Sequence, residues 1–500
     1  MRRDKRKTRD LDIVDLDDRY DSGKKRSSGK KRPHARNVEF AVITYAFLLL
    51  FISLCGYFVY FVSFKSEDFI NHPSNARLSK LSETVLRGNI TTRDGVVVAK
   101  SRLKGKDEER IYPKGRVYAH VIGYNSNGMA GVEQESNFQL LRSHSFFLTR
   151  IANDLKNVKS QGDTVVTTLD SKLQETAYNG MGSYKGAAVA IDPDTGAILA
   201  MVSKPDFDPN TVAASWKELS SSDNSSSVLL NRATQGMYPP GSTFKMVTAL
   251  SYLQNGGKAS DIFQCNGALT SSGYTIHCYG GEVHGRQDLT QAFGNSCNVA
   301  FATAGLSLGE GKLYSTAQDL LFNKELPTTL SNVKKSSFTL KSVEDKPLVM
   351  QTSIGQGNTL VTPLHMAMIA SSIANDGKLL QTHDVDHIEN DNANLVKSYD
   401  HYPSVTLMSK EEAKKLRVFM RYVVTNGTGR RLNVSNYRAY GKTGTAEYSS
   451  NKQESHSWFV GFAKKGKKKI AVAVVMEGAG SGSAYAVPLA GRMFDTYLGE

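Results

Sequence analysis

Pro239-Pro240-Gly241-Ser242-Thr243-Phe244-Lys245 runs directly into Met246-Val247-Thr248-Ala249-Leu250. The two prolines and the glycine bar a helix before Ser242, the apolar spacing after it reads as helix, and Asn255-Gly256-Gly257 supplies a stop. Ser242 therefore stands at a helix start, and Lys245 falls on the same face, one turn from the serine hydroxyl. Many surface helices open with Ser and carry Lys in the first turn. The pair takes on chemical meaning only if the rest of the chain supplies partners.

Upstream, residues 165–169 predict a strand and 171–181 a helix. Residues 187–191 and 197–201 predict two apolar strands around the turn Asp192-Pro193-Asp194-Thr195-Gly196. Beyond Asp288, two short helical runs are interrupted at Gly294-Asn295-Ser296-Cys297-Asn298. Thr362-Pro363 opens another helix with a cap residue and a first-turn proline. A helix over 409–424 stops at Asn426-Gly427-Thr428-Gly429. The period then becomes that of strands: 439–446, 457–462 and, past the basic turn 464–469, 470–476 predict an antiparallel meander, followed by a helix over 488–498. Strands at both ends with helices between them predict an α+β domain, one mainly antiparallel sheet covered by helices, over 161–500.

The formal net charge of +14 is concentrated near the start, where Arg2, Arg3, Lys5, Arg6, Lys7 and Arg9 precede acidic Asp10 to Asp18 and a second basic run to Arg36. Residues 1–38 therefore read as a solvated, disordered tail, and the distribution argues against nucleic acid as a partner. From Phe40 to Phe64 no residue is charged. As a helix this run is roughly 37 Å long, enough for a hydrocarbon core of about 30 Å. Residues 39–64 predict a retained single-pass anchor, with the basic tail cytoplasmic and everything after Lys65 outside. Residues 65–160 are polar and rich in turns. An Asp94-Gly95 turn there predicts a hairpin, no catalytic constellation is visible, and the segment reads as a small β-rich pedestal.

Cys55 lies in the anchor, leaving Cys265, Cys278 and Cys297. Cys265 and Cys278 flank a turn-rich stretch that could bring them together as a disulfide or leave them as inert thiols. A zinc site from Cys265, His277, Cys278 and His284 is disfavoured, because adjacent His277 and Cys278 point to opposite sides of an extended chain. No metal is expected.

Ser242-Thr-Phe-Lys245, Ser296-Cys-Asn298 and Lys442-Thr-Gly444 occur in the order used by serine penicillin-binding proteins and serine β-lactamases. Together with Arg87-Gly88, Ile354-Gly355-Gln356-Gly357, Thr362-Pro363-Leu364, Gly427-Thr428-Gly429 and the stretch from Trp458 to Phe462, the chain from Lys65 onward resembles a class B, monofunctional penicillin-binding protein of the compact branch. The resemblance implies that Ser242 is the nucleophile and Lys245 its base. It assigns proton relay to Ser296, substrate-amide binding to Asn298, and a second cation and carboxylate site to Lys442, Thr443, Gly444 and Thr445. The backbone amides of Ser242 and Thr445 would form an oxyanion hole. The implied reaction is D,D-transpeptidation of D-Ala-D-Ala stem peptides through a Ser242 acyl-enzyme, blocked by β-lactams and needing no cofactor.

A β-lactamase of class A type is disfavoured by the absence of a Glu-x-x-Leu-Asn stretch between Asn298 and Lys442. A D,D-carboxypeptidase would use the same residues with water as acceptor. A β-lactam sensor would need a larger cytoplasmic portion, and a scaffold could retain the residues without using them. No glycosyltransferase domain fits between Lys65 and Ser160, so the resemblance implies a polytopic membrane glycosyltransferase as partner, with other division or elongation proteins.

Overall fold

The computed structural model describes residues 35–62, 76–105, 107–156, 158–221, 226–340, 345–399, 402–447 and 455–499. Residues 1–34 of the predicted tail and the last residues of the predicted anchor lie outside them, and residues 35–38, expected to be disordered, are instead the first turn of a helix. Helix α1, Ala35–Tyr60, carries the apolar run on a fully exposed surface, and its Val38–Tyr60 portion is long and apolar enough to anchor the chain in a membrane. The chain through Glu67 and the chain from Asp68 onward form separate compact units.

In the second unit, β1 (Ile90–Thr91) and β2 (Val97–Lys104) form the hairpin expected around Asp94-Gly95, and β3 (Asp107–Ile111) extends it. Next come β4 (Thr164–Thr167), helix α2 (Ser171–Gly180), and the hairpin of β5 (Gly186–Ile191) with β6 (Ile198–Lys204). Helix α3 (Lys245–Gln254) leads to an excursion of short strands: β7 (Ile262–Cys265), β8 (Ala268–Ser271), β9 (Tyr274–His277) and β10 (Gly285–Asp288). Helices α4 (Leu289–Gly294) and α5 (Asn298–Asp319) follow. The second of these is two shorter helical segments that meet at a kink, where the positive φ of Gly309 (73°) breaks the helix. Then come α6 (Pro363–Ala374), β11 (Val385–Glu389), β12 (Leu395–Ser398), α7 (Lys410–Thr425), the meander of β13 (Arg438–Glu447), β14 (Ser455–Lys465) and β15 (Lys468–Met476), and α8 (Ala486–Leu498).

The meander joins the early hairpin in a five-stranded antiparallel sheet of order β13-β14-β15-β5-β6. Both faces are covered, which explains why its strands are nearly continuous apolar runs rather than alternating ones. Along β15, Ala471, Ala473 and Val475 enter one core with the wholly buried α6, while Ile470, Val472 and Val474 enter a second core with α2 and α8. Alternation thus survives as a choice between two interiors.

A six-stranded sheet of order β12-β11-β4-β1-β2-β3 combines strands from before and after residue 160. Beside it, Glu133 is fully buried between two arginines, its carboxylate oxygens each 2.7 Å from a guanidinium nitrogen of Arg87 or Arg110. Burial alone would raise the Glu133 carboxyl, but Arg110 and Arg87 outweigh it and hold the group below its ordinary value. Glu133→Gln leaves two guanidinium groups buried without a counter-charge. It is expected to lower the unfolding free energy by about 3–5 kcal/mol, measured as a fall in the urea midpoint of the full chain, whereas a change under about 1 kcal/mol would show the pair to be screened.

Candidate active site

Gly241–Phe244 form a tight 3-10 turn, and the α-helix proper begins at Lys245. The helix expected at Ser242 is thus one turn late, because Pro240 and the left-handed Gly241 (φ 53°) force a sharper entry. The pairing survives: Lys245 Nζ lies 3.0 Å from Ser242 Oγ. The same nitrogen lies 2.6 Å from the Ser296 carbonyl oxygen, 2.7 Å from Asn298 Oδ1 and 3.2 Å from Ser296 Oγ. Two of these neighbours, the carbonyl and the amide oxygen, can only accept. A neutral amine has two hydrogens for them and one lone pair left for a hydroxyl proton. The geometry therefore suits an uncharged Lys245 that accepts a proton from Ser242.

The electrostatics agree. Lys245 is fully buried, and loss of hydration pulls its pKa down to about 7, against the opposing influence of the Cys297 and Cys278 thiols. Lys442, also fully buried, is held well below its ordinary value by burial and by the neighbouring Lys245 charge. Its Nζ donates to Ser296 Oγ at 2.9 Å and to the Thr443 carbonyl at 3.0 Å. Ser296 Oγ thus stands between the two amines. Ser296 adopts a left-handed backbone (φ 57°), a conformation costing a non-glycine residue about 1–3 kcal/mol, in the turn joining α4 to α5. The Lys245 bond to its carbonyl helps to hold it there.

Strand β13 brings in the third motif. Gly444 packs so closely on the Ser242 turn that a Cβ there would sit 3.0 Å from Thr243 Cγ2 and 3.2 Å from the Pro240 carbonyl. A Cβ on Gly241 would lie 2.8 Å from the Thr445 carbonyl, so the nucleophile's turn and this strand are in direct contact. Thr443 is buried, with its Oγ1 2.6 Å from Thr428 Oγ1, while Thr445 is half-buried beside the turn. Ser242, Lys245, Ser296, Asn298 and Lys442 meet in one cluster, with Thr443, Gly444 and Thr445 along its edge.

Thr428 was noticed in the sequence only as part of Gly427-Thr428-Gly429, and its hydroxyl beside Thr443 is an addition to the site. So is the His277 carbonyl, which accepts from Asn298 Nδ2 at 2.8 Å and which no side-chain pattern could reveal. The disulfide left open between Cys265 and Cys278 is not made: the sulfurs are 3.6 Å apart, where a bond requires about 2.05 Å.

The model of the penicillin-binding protein transpeptidase domain matches residues 186–495, more than half of the chain. The chain belongs to the penicillin-binding protein transpeptidase family. A second model, the penicillin-binding protein A dimerisation domain, matches residues 87–165. The chain is 30% identical over 484 residues to the peptidoglycan D,D-transpeptidase PbpA of Mycolicibacterium smegmatis, covering 91% of this chain and 97% of that one. Its fold is similar to penicillin-binding protein A of M. tuberculosis solved as a ceftriaxone acyl-enzyme, with TM-score 0.76 at 29% identity over 84% of this chain and 100% of that one. It is also similar to the D,D-transpeptidase domain of a peptidoglycan glycosyltransferase from Eggerthella lenta, with TM-score 0.73 at 31% identity over 83% and 99%.

In a penicillin-binding protein whose nucleophile turn rests on the Lys442-Thr443-Gly444 strand, space at Gly444 sets the turn's position. Gly444→Val is expected to slow acylation by a fluorescent penicillin by about 100-fold, the scale of a 1 Å misplacement, while circular dichroism of the full chain stays unchanged. Labelling at the normal rate would show that the turn does not lean on this strand.

Proposed function

We propose that the protein is a peptidoglycan D,D-transpeptidase that crosslinks stem peptides through a Ser242 acyl-enzyme, and that β-lactams acylate the same serine. The observation that carries this reading is Lys245 Nζ at 3.0 Å from Ser242 Oγ, with Ser296 Oγ bridging to Lys442 at 2.9 Å. Neutral Lys245 takes the Ser242 proton as Oγ attacks the carbonyl of the D-Ala-D-Ala bond. The developing oxyanion is received by the backbone amides of Ser242 and Thr445. Ser296 passes a proton to the departing D-Ala amine as the C–N bond breaks, and an amine from a neighbouring stem then resolves the ester. Asn298 holds a substrate amide, and Lys442, Thr443 and Thr445 receive the terminal carboxylate, with Thr428 orienting the Thr443 hydroxyl.

The apolar helix anchors the enzyme in the cell membrane, with the basic tail cytoplasmic and residues after Lys65 outside, where the substrate lies. Stem peptides become available as glycan strands grow, so a polytopic membrane glycosyltransferase is the expected partner, within a division or elongation assembly.

Full-length protein in detergent is expected to be labelled stably by a fluorescent penicillin and to crosslink stem peptides, with Ser242→Ala abolishing both. Label that is released rapidly, with no crosslinked product, would point to hydrolysis. Lys245→Met is expected to slow acylation by about 10²–10⁴-fold with the fold intact. Because the base must be uncharged, the acylation rate of the unaltered protein should rise as the pH increases through about 7, where Lys245 loses its proton. A rate independent of pH between 6 and 8, roughly one unit either side of that value, would remove Lys245 from the role of base.

A further inference from the structure

Phe147–Leu155 form a helix shortly before the strand Ser160–Gln161. At about 100° per residue, Phe147, Leu148, Ile151 and Leu155 fall within roughly 100° of its circumference, and Thr149, Arg150 and Asn153 fall on the other side. A surface helix normally turns its apolar side to the core. Here the arrangement is reversed. Asn153 faces the domain, donating from Nδ2 to Ser160 Oγ at 3.3 Å, while Phe147, Leu148, Ile151 and Leu155 are all exposed, Leu155 at 82%. Phe146, whose ring meets that of Phe147 edge-on at 5.2 Å, and Val158 carry the exposed apolar surface past both ends of the helix.

Single apolar side chains are exposed on any protein surface, but a contiguous patch marks a contact. Its place in the fold says with what. Ser160–Gln161 pair in parallel with Val85–Leu86, and Lys159 Nζ donates to the carbonyl of Ser82 in the helix Ala76–Thr84. The apolar helix therefore stands beside the stretch by which the chain enters the domain from its anchor. Fifteen residues separate Tyr60, the last residue of α1, from Ala76, a tether that spans no more than roughly 55 Å when fully extended. Arg150, Lys156 and Lys159 outnumber Asp154 on and just past the helix, a balance that suits phosphate headgroups. A second copy of the chain would cover the patch as well, but would not require it to sit beside the membrane-proximal entry.

We propose that the helix Phe147–Leu155 is a second membrane attachment, lying along the surface of the bilayer that α1 crosses, with Phe147, Leu148, Ile151 and Leu155 in the lipid. Such helices sink roughly 5–10 Å, to the boundary between headgroups and acyl chains. Arg150 and Lys156, both exposed, stay at headgroup level. One flexible tether leaves a domain free to turn, whereas a tether and a surface helix together limit how it can face the membrane. The proposal rests on the membrane anchor and is independent of the acyl-enzyme reading.

Because α1 keeps every variant in the bilayer, the readout is depth rather than binding. The full chain with Cys55→Ser, whose remaining cysteines are buried, is given Leu155→Cys or, on the opposite side of the helix, Thr149→Cys. Each is labelled with an environment-sensitive fluorophore and reconstituted in vesicles of phosphatidylglycerol and phosphatidylethanolamine. Lipids carrying a doxyl quencher high on the acyl chain should quench position 155 at least about fivefold more than position 149, and iodide in the water should show the reverse order. Equal quenching at the two positions overturns the proposal. Protection of position 155 from both quenchers also overturns it, since a protein and not lipid then covers the patch. A second measurement needs no substitution: the unaltered full chain in vesicles containing a phospholipid with a diazirine in its acyl chain is irradiated and mapped by mass spectrometry. Crosslinks are expected in peptides covering residues 146–158 as well as in α1, and crosslinks confined to α1 overturn the attachment.

Discussion

A lysine amine with no access to water governs this molecule. Burying an ammonium without a counter-charge is costly enough that the group surrenders its proton near neutrality, and Lys245 has no carboxylate among its hydrogen-bond neighbours to prevent this. Its surroundings are instead two oxygens that can only accept and two hydroxyls that can do either. Such a shell stabilises a neutral amine as well as a charged one. The second buried lysine, Lys442, is lowered by its own burial and further by the charge of Lys245. Everything else in the domain serves to keep these two nitrogens dry and on either side of Ser296 Oγ.

That dryness comes from the layering. The five-stranded sheet carries Lys442 on its edge strand β13, α3 begins with Lys245, and the Ser296 turn lies between α4 and α5. No local stretch could exclude water from all three. A left-handed serine between two helices is unfavourable in isolation, and it is held by hydrogen bonds from Lys245 and Lys442, one to its carbonyl and one to its hydroxyl. The stability of the surrounding layers is thereby converted into a fixed distance between the Ser242 hydroxyl and the Lys245 amine.

Much of this was legible in the residues because the local signals are strong. Pro239-Pro240-Gly241 marks an abrupt entry, the apolar runs of β14 and β15 flank a lysine-rich turn, and Ser409 with Glu412 forms the capping box that starts α7. What escaped was long-range or carried by backbone. The partner of Asn298 is a carbonyl, which has no letter in the sequence, and Thr428 reaches Thr443 only because α7 ends beside β13. The cysteines were weighed by their neighbours in sequence. His284 was weighed as a zinc ligand alongside His277, whereas Cys297, which the fold brings beside Cys278 with sulfurs 3.7 Å apart, was not part of that set. The 3-10 entry at Ser242 was missed since tightening a first turn leaves the side-chain pattern unchanged.

The six-stranded sheet has a consequence for how such a protein can be cut and recombined. Strands β1, β2 and β3 come from the membrane-proximal region, whereas β4, β11 and β12 come from the catalytic stretch, and β1 lies parallel to β4 in the middle. The two regions share a hydrogen-bonded ladder, so neither has a natural boundary at which its backbone is already satisfied. Severing the chain near residue 160 would expose two raw sheet edges, each prone to pair with any available strand. Exchange of the stretch after residue 160 between relatives therefore has to carry β1, β2 and β3 along.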